Sequence, residues 1–170
     1  MNVGELLRNQ YSQGHQLVAG VMADVGPDVL NDATGLGTLG SIASIFAHMV
    51  FTEDLLVAGF TARPPLYSSA GWDAKLGVAI PGLQQSPEWA AGVRMELAPF
   101  MEYAKQVWAA TEDYVGGLSE ADLDREVPGI GGRMVKLAVL AGNVGTIHIS
   151  SHMGEIAASK GVRGLKGLPF

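Results

Sequence analysis

The chain of 170 residues contains no cysteine. Disulfide bonds, zinc ribbons and thiol nucleophiles are therefore excluded, and histidine and carboxylate side chains are the protein ligands that remain for a metal ion. Any thiol chemistry would need a thiol supplied from outside the chain.

Positive charge is also scarce. The 11 lysine and arginine residues are outnumbered by 17 aspartate and glutamate residues, and the formal net charge is -6. Because nucleic acids and membrane surfaces are polyanionic and repel such a chain at long range, we expect neither as a partner. No run of about 20 apolar residues predicts a membrane span, and the first residues lack the basic start of a leader peptide. The expectation is a soluble, cytoplasmic protein.

The pattern of apolar residues predicts helices. Helical periodicity covers four segments, separated by glycine and proline and lying at about 3–25, 39–60, 86–115 and 134–160. Strand-like alternation is weak, although residues 127–132 predict a short extended excursion. The length suits one domain, so we predict that residues 1–170 form a single all-α domain, a four-helix bundle.

A long link from Thr61 to Ser86 separates the second and third predicted helices. A link of this length inside a domain is more often functional than idle, and it allows the two helices that it joins to run parallel. Tyr67 and Trp72 are amphipathic aromatics suited to gripping a small polar molecule, which predicts a cofactor or substrate pocket formed by the link. The alternative is that these rings anchor the link to the bundle.

The histidines carry the strongest chemical signal. His148 and His152 are spaced i, i+4 on the fourth predicted helix, which places their Cβ atoms roughly 5–6 Å apart and lets both rings meet one ion. His48 lies on the inward face of the second predicted helix and can supply a third imidazole. Glu155 lies on nearly the same face as the histidine pair and can orient an imidazole, act as a base or ligate a second metal ion. His15 is expected at the rim of this site.

Several motifs together resemble the DinB-like metalloenzyme superfamily over nearly the whole chain. They are His48 with residues 49–54, the turn at 118–123, the stretch from His148 to Ile156, and the tail at 160–170. The resemblance implies an up-up-down-down four-helix bundle and one divalent metal ion held by His48, His148 and His152. Characterised members include transferases and isomerases that use mycothiol, bacillithiol or glutathione. Met153 and Glu155 stand where such proteins often have arginine and glutamine.

These observations lead to one principal hypothesis. The chain would hold zinc, nickel, iron or manganese and activate a low-molecular-weight thiol or water for attack on a small electrophile, as a transferase or hydrolase, with Glu155 in a catalytic role. A different class of function is a non-catalytic bundle that binds a metal or small ligand as a stress sensor or store, as a homodimer. In a third interpretation, the histidines form hydrogen bonds inside the core and bind no ligand.

Overall fold

The computed structural model describes residues 2–81, 85–129 and 132–170, and most of them are helical. The elements in chain order are α1 (Val3–Met22), α2 (Pro27–Leu30), α3 (Ile42–Thr61), α4 (Leu66–Ser69), α5 (Asp73–Leu76), α6 (Pro87–Gly92), α7 (Leu97–Gly116), α8 (Glu120–Leu123), β1 (Glu126–Pro128), β2 (Met134–Lys136), α9 (Leu137–Gly142), a π-helical segment (Asn143–His148) and α10 (Ile149–Val162). The predicted all-α fold class is confirmed.

Helix α9, the π-helical segment and α10 follow one another without a break and form the C-terminal helix. Strands β1 and β2 pair antiparallel just before it, with Glu126 opposite Lys136. The predicted start of this helix at Met134 was therefore wrong, because residues 134–136 are extended. Of the extended excursion predicted at 127–132, Ile130 and Gly131 lie outside the described residues.

Helices α1 and α7 run antiparallel. The guanidinium Nε of Arg8, near the start of α1, donates to the carbonyl oxygen of Glu112, near the end of α7, over 3.1 Å. Further along α1, the ring of His15 stacks on Trp108 with centroids 5.0 Å apart. Residue numbers that rise on one helix and fall on the other define an antiparallel pair.

Helices α3 and α7 run parallel. Phe46 meets Phe100 with ring centroids 5.3 Å apart, and Phe60 meets Tyr114 at 5.9 Å. Residue numbers rise together along the two helices. The parallel direction that the long link was expected to allow is thus present, and the chain between the two helices travels back along the bundle.

The C-terminal helix runs parallel to α1. The hydroxyl of Tyr11 donates to the carbonyl oxygen of Ala141 over 2.8 Å, and the ammonium of Lys160 donates to that of Val21 over 2.6 Å. The four long helices therefore run up, down, down and up in chain order. The expected up-up-down-down order was wrong, because the chain between α1 and α3 turns back and makes these two helices antiparallel.

The third predicted helix, expected to run from residue 86 to residue 115, is interrupted, and Pro99 explains why. Proline has no backbone N–H and clashes with the preceding turn, so it is tolerated only in the first turn of a helix. Helix α7 accordingly begins at Leu97, and the extended backbone of Val93 separates it from the short α6. Ser86 does act as an N-cap, but for α6 alone, accepting from the backbone N–H of Trp89.

The link from Thr61 to Ser86 is not structureless, since it contains the single-turn helices α4 and α5. Residues 82–84 of this link lie outside the described residues. The buried carboxylate of Asp54 fixes its first part by accepting from the backbone N–H groups of Leu66 and Tyr67, each over 2.8 Å. A charged acceptor on α3 therefore holds the link against the bundle.

Helix α3 is the most extensively buried of the long helices. Within the described parts of the chain, Ile42–Thr61 is the one helix long and apolar enough to cross a membrane, and 83% of its most apolar window is buried by the rest of the protein. Its middle also carries two buried carboxylates, Glu53 and Asp54. These features are those of a core helix.

His15 is expected to make the stability of the protein depend on pH. Its buried ring lies between two carboxylates, with Nδ1 2.8 Å from Glu112 and Nε2 3.2 Å from Glu53. Burial alone would lower the pKa of His15, but the hydrogen bonds and charges of Glu53 and Glu112 outweigh it, and the pKa is raised. The protonated ring of His15 therefore stabilises the folded protein. This contribution is complete below about pH 6.5, the pKa of an unfolded histidine, and is lost as the pH rises through the folded-state pKa of His15.

Urea unfolding between about pH 6 and pH 9 tests this role. We expect the free energy of unfolding to decline with rising pH, and to decline less in the His15→Gln protein, which lacks the titrating ring. Equal declines in the two proteins would rule out His15 as the source.

Candidate metal centre

The π-helical segment Asn143–His148 ends at one of the predicted metal ligands. Segments of this kind are rare and often occur at functional sites, because the extra residue in the turn changes the direction of the side chains. Two side-chain hydroxyl groups donate to backbone carbonyl oxygens just before the segment. The hydroxyl of Tyr11 donates to the carbonyl of Ala141, and the hydroxyl of Thr146 donates to the carbonyl of Gly142. The irregular turn is therefore supported by α1 as well as by its own side chain.

Close packing against α1 also fixes the segment. A Cβ atom built on Gly145 would lie 2.4 Å from the ring of Tyr11, so only glycine allows the two helices to approach this closely. The following turn then presents His148 and His152 to α3.

Three histidines from two helices converge as predicted. The Nε2 atoms of His48 and His148 are 3.3 Å apart, and each ring offers a nitrogen within 4.8 Å of the others. Two nitrogens that bind one ion at about 2.0–2.1 Å lie roughly 2.8–3.4 Å apart when the angle between them is octahedral to tetrahedral. His48, His148 and His152 could therefore hold one metal ion.

The electrostatic surroundings keep two of these rings neutral. Burial lowers the pKa of His48 to about 4, with His152 lowering it further and Glu155 raising it. Burial likewise lowers the pKa of His148 to about 3, assisted by His152 and His48. At neutral pH both rings have lone pairs available for a cation, and neither must first lose a proton.

Glu155 orients the third ring. Its carboxylate Oε2 lies 2.7 Å from Nδ1 of His152, which places the proton on Nδ1 and leaves the lone pair on Nε2. This is the arrangement in which a carboxylate fixes the tautomer of a metal-binding histidine. The side chain of Glu155 is 40% exposed, so it also reaches solvent.

The unpaired atoms of the site support the assignment. Nδ1 of His48 and Nδ1 of His148 are buried with no hydrogen-bond partner among the described residues. A core histidine kept for its hydrogen bonds would use its nitrogens, because an unsatisfied buried polar atom costs about 1–3 kcal/mol. The Nε2 atoms of His48 and His148 lie 3.3 Å apart, a separation that two ligands of one ion also have. The donor set fits a divalent metal.

A cavity of about 500 Å³ opens beside the histidines. Its volume lies in the range of small-molecule sites, roughly 300–1,000 Å³. It is lined by His48, Thr52, Gly129, Val135, Val139, Leu140, Asn143, Val144, Ile147, His148, Ser151 and His152. An ion held by the three histidines would therefore remain accessible to a small molecule.

Comparison with known proteins agrees with this geometry. The sequence model of the DinB superfamily matches residues 10–156, which include all three histidines and Glu155. The chain belongs to the DinB superfamily. No curated protein matches it significantly.

One solved structure extends the likeness of this DinB superfamily member to the whole fold. It is the crystal structure of a conserved protein from Enterococcus faecalis, with a TM-score of 0.77 and 20% sequence identity. The match covers 95% of this chain and 99% of that one. At this identity the likeness concerns the fold alone.

Tyr67 and Trp72, predicted to form a cofactor pocket, lie elsewhere in this DinB superfamily fold. The hydroxyl of Tyr67 donates to the carbonyl oxygen of Val78, and the indole N–H of Trp72 donates to Gln106 on α7. Neither is among the described residues that line the histidine cavity. The ring of Tyr67 also meets Phe51 on α3, with centroids 5.4 Å apart. Both rings therefore anchor the link to the bundle, which was the alternative interpretation.

Sequence reasoning also missed features of the site. The π-helical segment has no residue pattern that distinguishes it from an α-helix. His15, expected at the rim, is buried between Glu53 and Glu112. Thr52 lines the cavity one turn beyond His48, and its i, i+4 spacing from that histidine was the signal that could have identified it.

Proposed function

We propose that the protein is a metal-dependent enzyme in which His48, His148 and His152 hold one divalent ion. The observation that carries the proposal is the convergence of three imidazoles on the wall of an open cavity. Catalytic metal sites characteristically combine three protein ligands with an open position, whereas structural sites are closed. Membership in the DinB superfamily supports the same assignment.

The reaction we propose is nucleophilic transfer to a small electrophile. When bound, a divalent ion lowers the pKa of a thiol or water and so supplies a nucleophile near neutral pH. In thiol transfer, a bond forms between sulfur and the electrophilic carbon, and the leaving group departs with the electron pair. The thiol proton passes to solvent through the open cavity, because Glu155 already accepts from Nδ1 of His152 and is not among the described residues that line the cavity. The aliphatic residues of the cavity wall offer a contact surface for the apolar part of the electrophile.

Metal-dependent stabilisation and thiol consumption test the proposal together. Adding zinc, nickel, iron or manganese to metal-free protein should raise its free energy of unfolding, by about 2.7 kcal/mol at a free metal concentration of 100 Kd. Thiol consumption in the presence of a small epoxide or chloronitrobenzene should then require the metal. Absence of stabilisation by every one of these metals would contradict the assignment.

Glu155→Gln tests the positioning of His152. The amide has the same size but cannot hold the Nδ1 proton by charge, so we expect metal affinity to fall roughly tenfold, near the lower end for loss of such a partner. Isothermal titration of the metal-free protein measures the change. The effect should be moderate because Glu155 is partly exposed.

Glu102→Gln is the matched control. Glu102 also pairs with a residue three positions along its helix, Lys105, but on the exposed surface of α7. We expect metal affinity and stability to change little, because exposed ion pairs contribute about 0–1 kcal/mol. A loss of metal affinity equal to that of Glu155→Gln would show that Glu155 acts only through overall charge.

The open cavity favours an enzyme over a sensor or store. A sensing or storage site is expected to fill the remaining coordination positions with protein donors. Among the described residues, the group that could hold a metal ion contains three histidines and no further carboxylate. We therefore place catalysis ahead of the non-catalytic alternative.

A further inference from the structure

We propose that the cavity binds an uncharged, largely apolar molecule whose single polar head is directed at the three histidines and hydrogen-bonds to the hydroxyl of Thr52. This inference rests on the proposed metal site and adds the class of molecule that the site accepts. It comes from the hydrogen bonding of Thr52 and from the composition of the cavity walls.

The hydroxyl group of Thr52 has no hydrogen-bond partner in the described parts of the chain. A helical threonine usually donates to the carbonyl oxygen one turn earlier, which satisfies the hydroxyl within its own helix. Other helical threonines here follow this rule, with distances of 2.5–3.0 Å from the hydroxyl oxygen to the carbonyl oxygen four residues earlier: Thr61, Thr111 and Thr146. The hydroxyl oxygen of Thr52 is buried and has no partner among the described residues.

The free hydroxyl lies in the proposed site. Thr52 lines the cavity and follows His48 by one helical turn, so both residues are on the same face of α3. Leaving a buried hydroxyl unpaired is costly, and a ligand that supplies a partner recovers that cost. A head group directed at the histidines would meet the hydroxyl of Thr52 as well.

The residues that line the cavity away from the histidines disfavour a charged ligand. Most of the residues that line the cavity away from the histidines are aliphatic: Val135, Val139, Leu140, Val144 and Ile147. No lysine, arginine, aspartate or glutamate is among the described lining residues. Lys136, on strand β2, pairs with Asp124 over 2.6 Å. A ligand with a carboxylate in its body would bury that charge without a cationic partner.

Two thiols with the same head group test the preference. The first is 1-butanethiol, and the second is 3-mercaptopropionate, of similar length but with a carboxylate at the far end. Each is titrated into cobalt-loaded protein while the visible absorption of cobalt is followed. We expect 1-butanethiol to bind at least about tenfold more tightly, because the carboxylate gains no cationic partner.

Variants test each part of the cavity. Thr52→Val should weaken 1-butanethiol binding about 3- to 10-fold, the effect of one hydrogen bond, and leave cobalt affinity unchanged. Ile147→Lys, at a side chain 61% exposed on the cavity rim, should strengthen 3-mercaptopropionate binding. Leu6→Lys adds the same charge at an exposed position of α1 outside the cavity and should leave both affinities unchanged.

The outcomes separate this inference from the metal assignment. Cobalt binding with equal affinity for the two thiols, or with tighter binding of 3-mercaptopropionate, would overturn the inference and leave the metal site intact. Unchanged 1-butanethiol binding in Thr52→Val would show that the hydroxyl of Thr52 does not hydrogen-bond to the ligand. Failure of the parent protein to bind cobalt would overturn the metal assignment and this inference with it.

Discussion

His148→Leu is expected to bind divalent cations at least about 100-fold more weakly than the parent protein, while its metal-free fold becomes no less stable. Loss of a direct ligand should exceed the 10- to 100-fold cost of losing a residue that only orients one. Leucine has a similar volume and removes the buried Nδ1 atom, which has no partner within the described ranges. It also removes the 3.3 Å contact between His148 and His48, so the net gain in stability should be up to about 1 kcal/mol.

Two measurements decide between a metal ligand and a core residue. Calorimetric titration gives the metal affinity, and urea unfolding without metal gives the stability. A histidine kept for core hydrogen bonds would show the opposite pattern, with lower stability and unchanged metal binding. Ser150→Ala, an exposed change on the same helix, should alter neither quantity.

The periodicity of apolar residues predicted the long helices because each one buries a stripe against its neighbours. Their ends were less predictable, although Pro99 marked the start of α7 and could have been used. Helix direction depends on how the connecting segments cross the bundle, and residue spacing alone contains no such information. The up-down-down-up order was therefore visible only in contacts such as Tyr11 with Ala141.

The three histidines were predictable because i, i+4 spacing brings two rings together on any helix, regular or nearly so. The burial of His15 between Glu53 and Glu112 was not, since it depends on three helices meeting. Tyr67 was assigned to a pocket because an aromatic ring with a polar tip suits both a binding site and an anchor. The folded structure distinguishes the two roles, because the carboxylate of Asp54 accepts from the backbone N–H groups of Leu66 and Tyr67 and holds the link against α3. Residue spacing does not indicate this contact.

Asp54→Asn is expected to destabilise the protein by about 2–4 kcal/mol, the range for removing one partner from a buried charged network. Three donors among the described residues hydrogen-bond to this carboxylate. Oδ1 accepts from the backbone N–H of Leu66, and Oδ2 accepts from that of Tyr67 and from the hydroxyl of Tyr103 over 2.7 Å. An asparagine amide would bring N–H groups against these donors and leave at least one of them unpaired.

Asp113→Asn provides the matched comparison, because the side chain of Asp113 is 85% exposed and its contact with Arg8 is 3.4 Å long. We expect that change to cost less than about 0.5 kcal/mol in guanidinium unfolding. Metal affinity should survive in both variants, since neither aspartate lines the histidine cavity. Limited proteolysis should cleave Asp54→Asn faster within residues 62–81, because that carboxylate holds the link to α3. Equal stability losses in the two variants would mean that the buried carboxylate does not anchor the link.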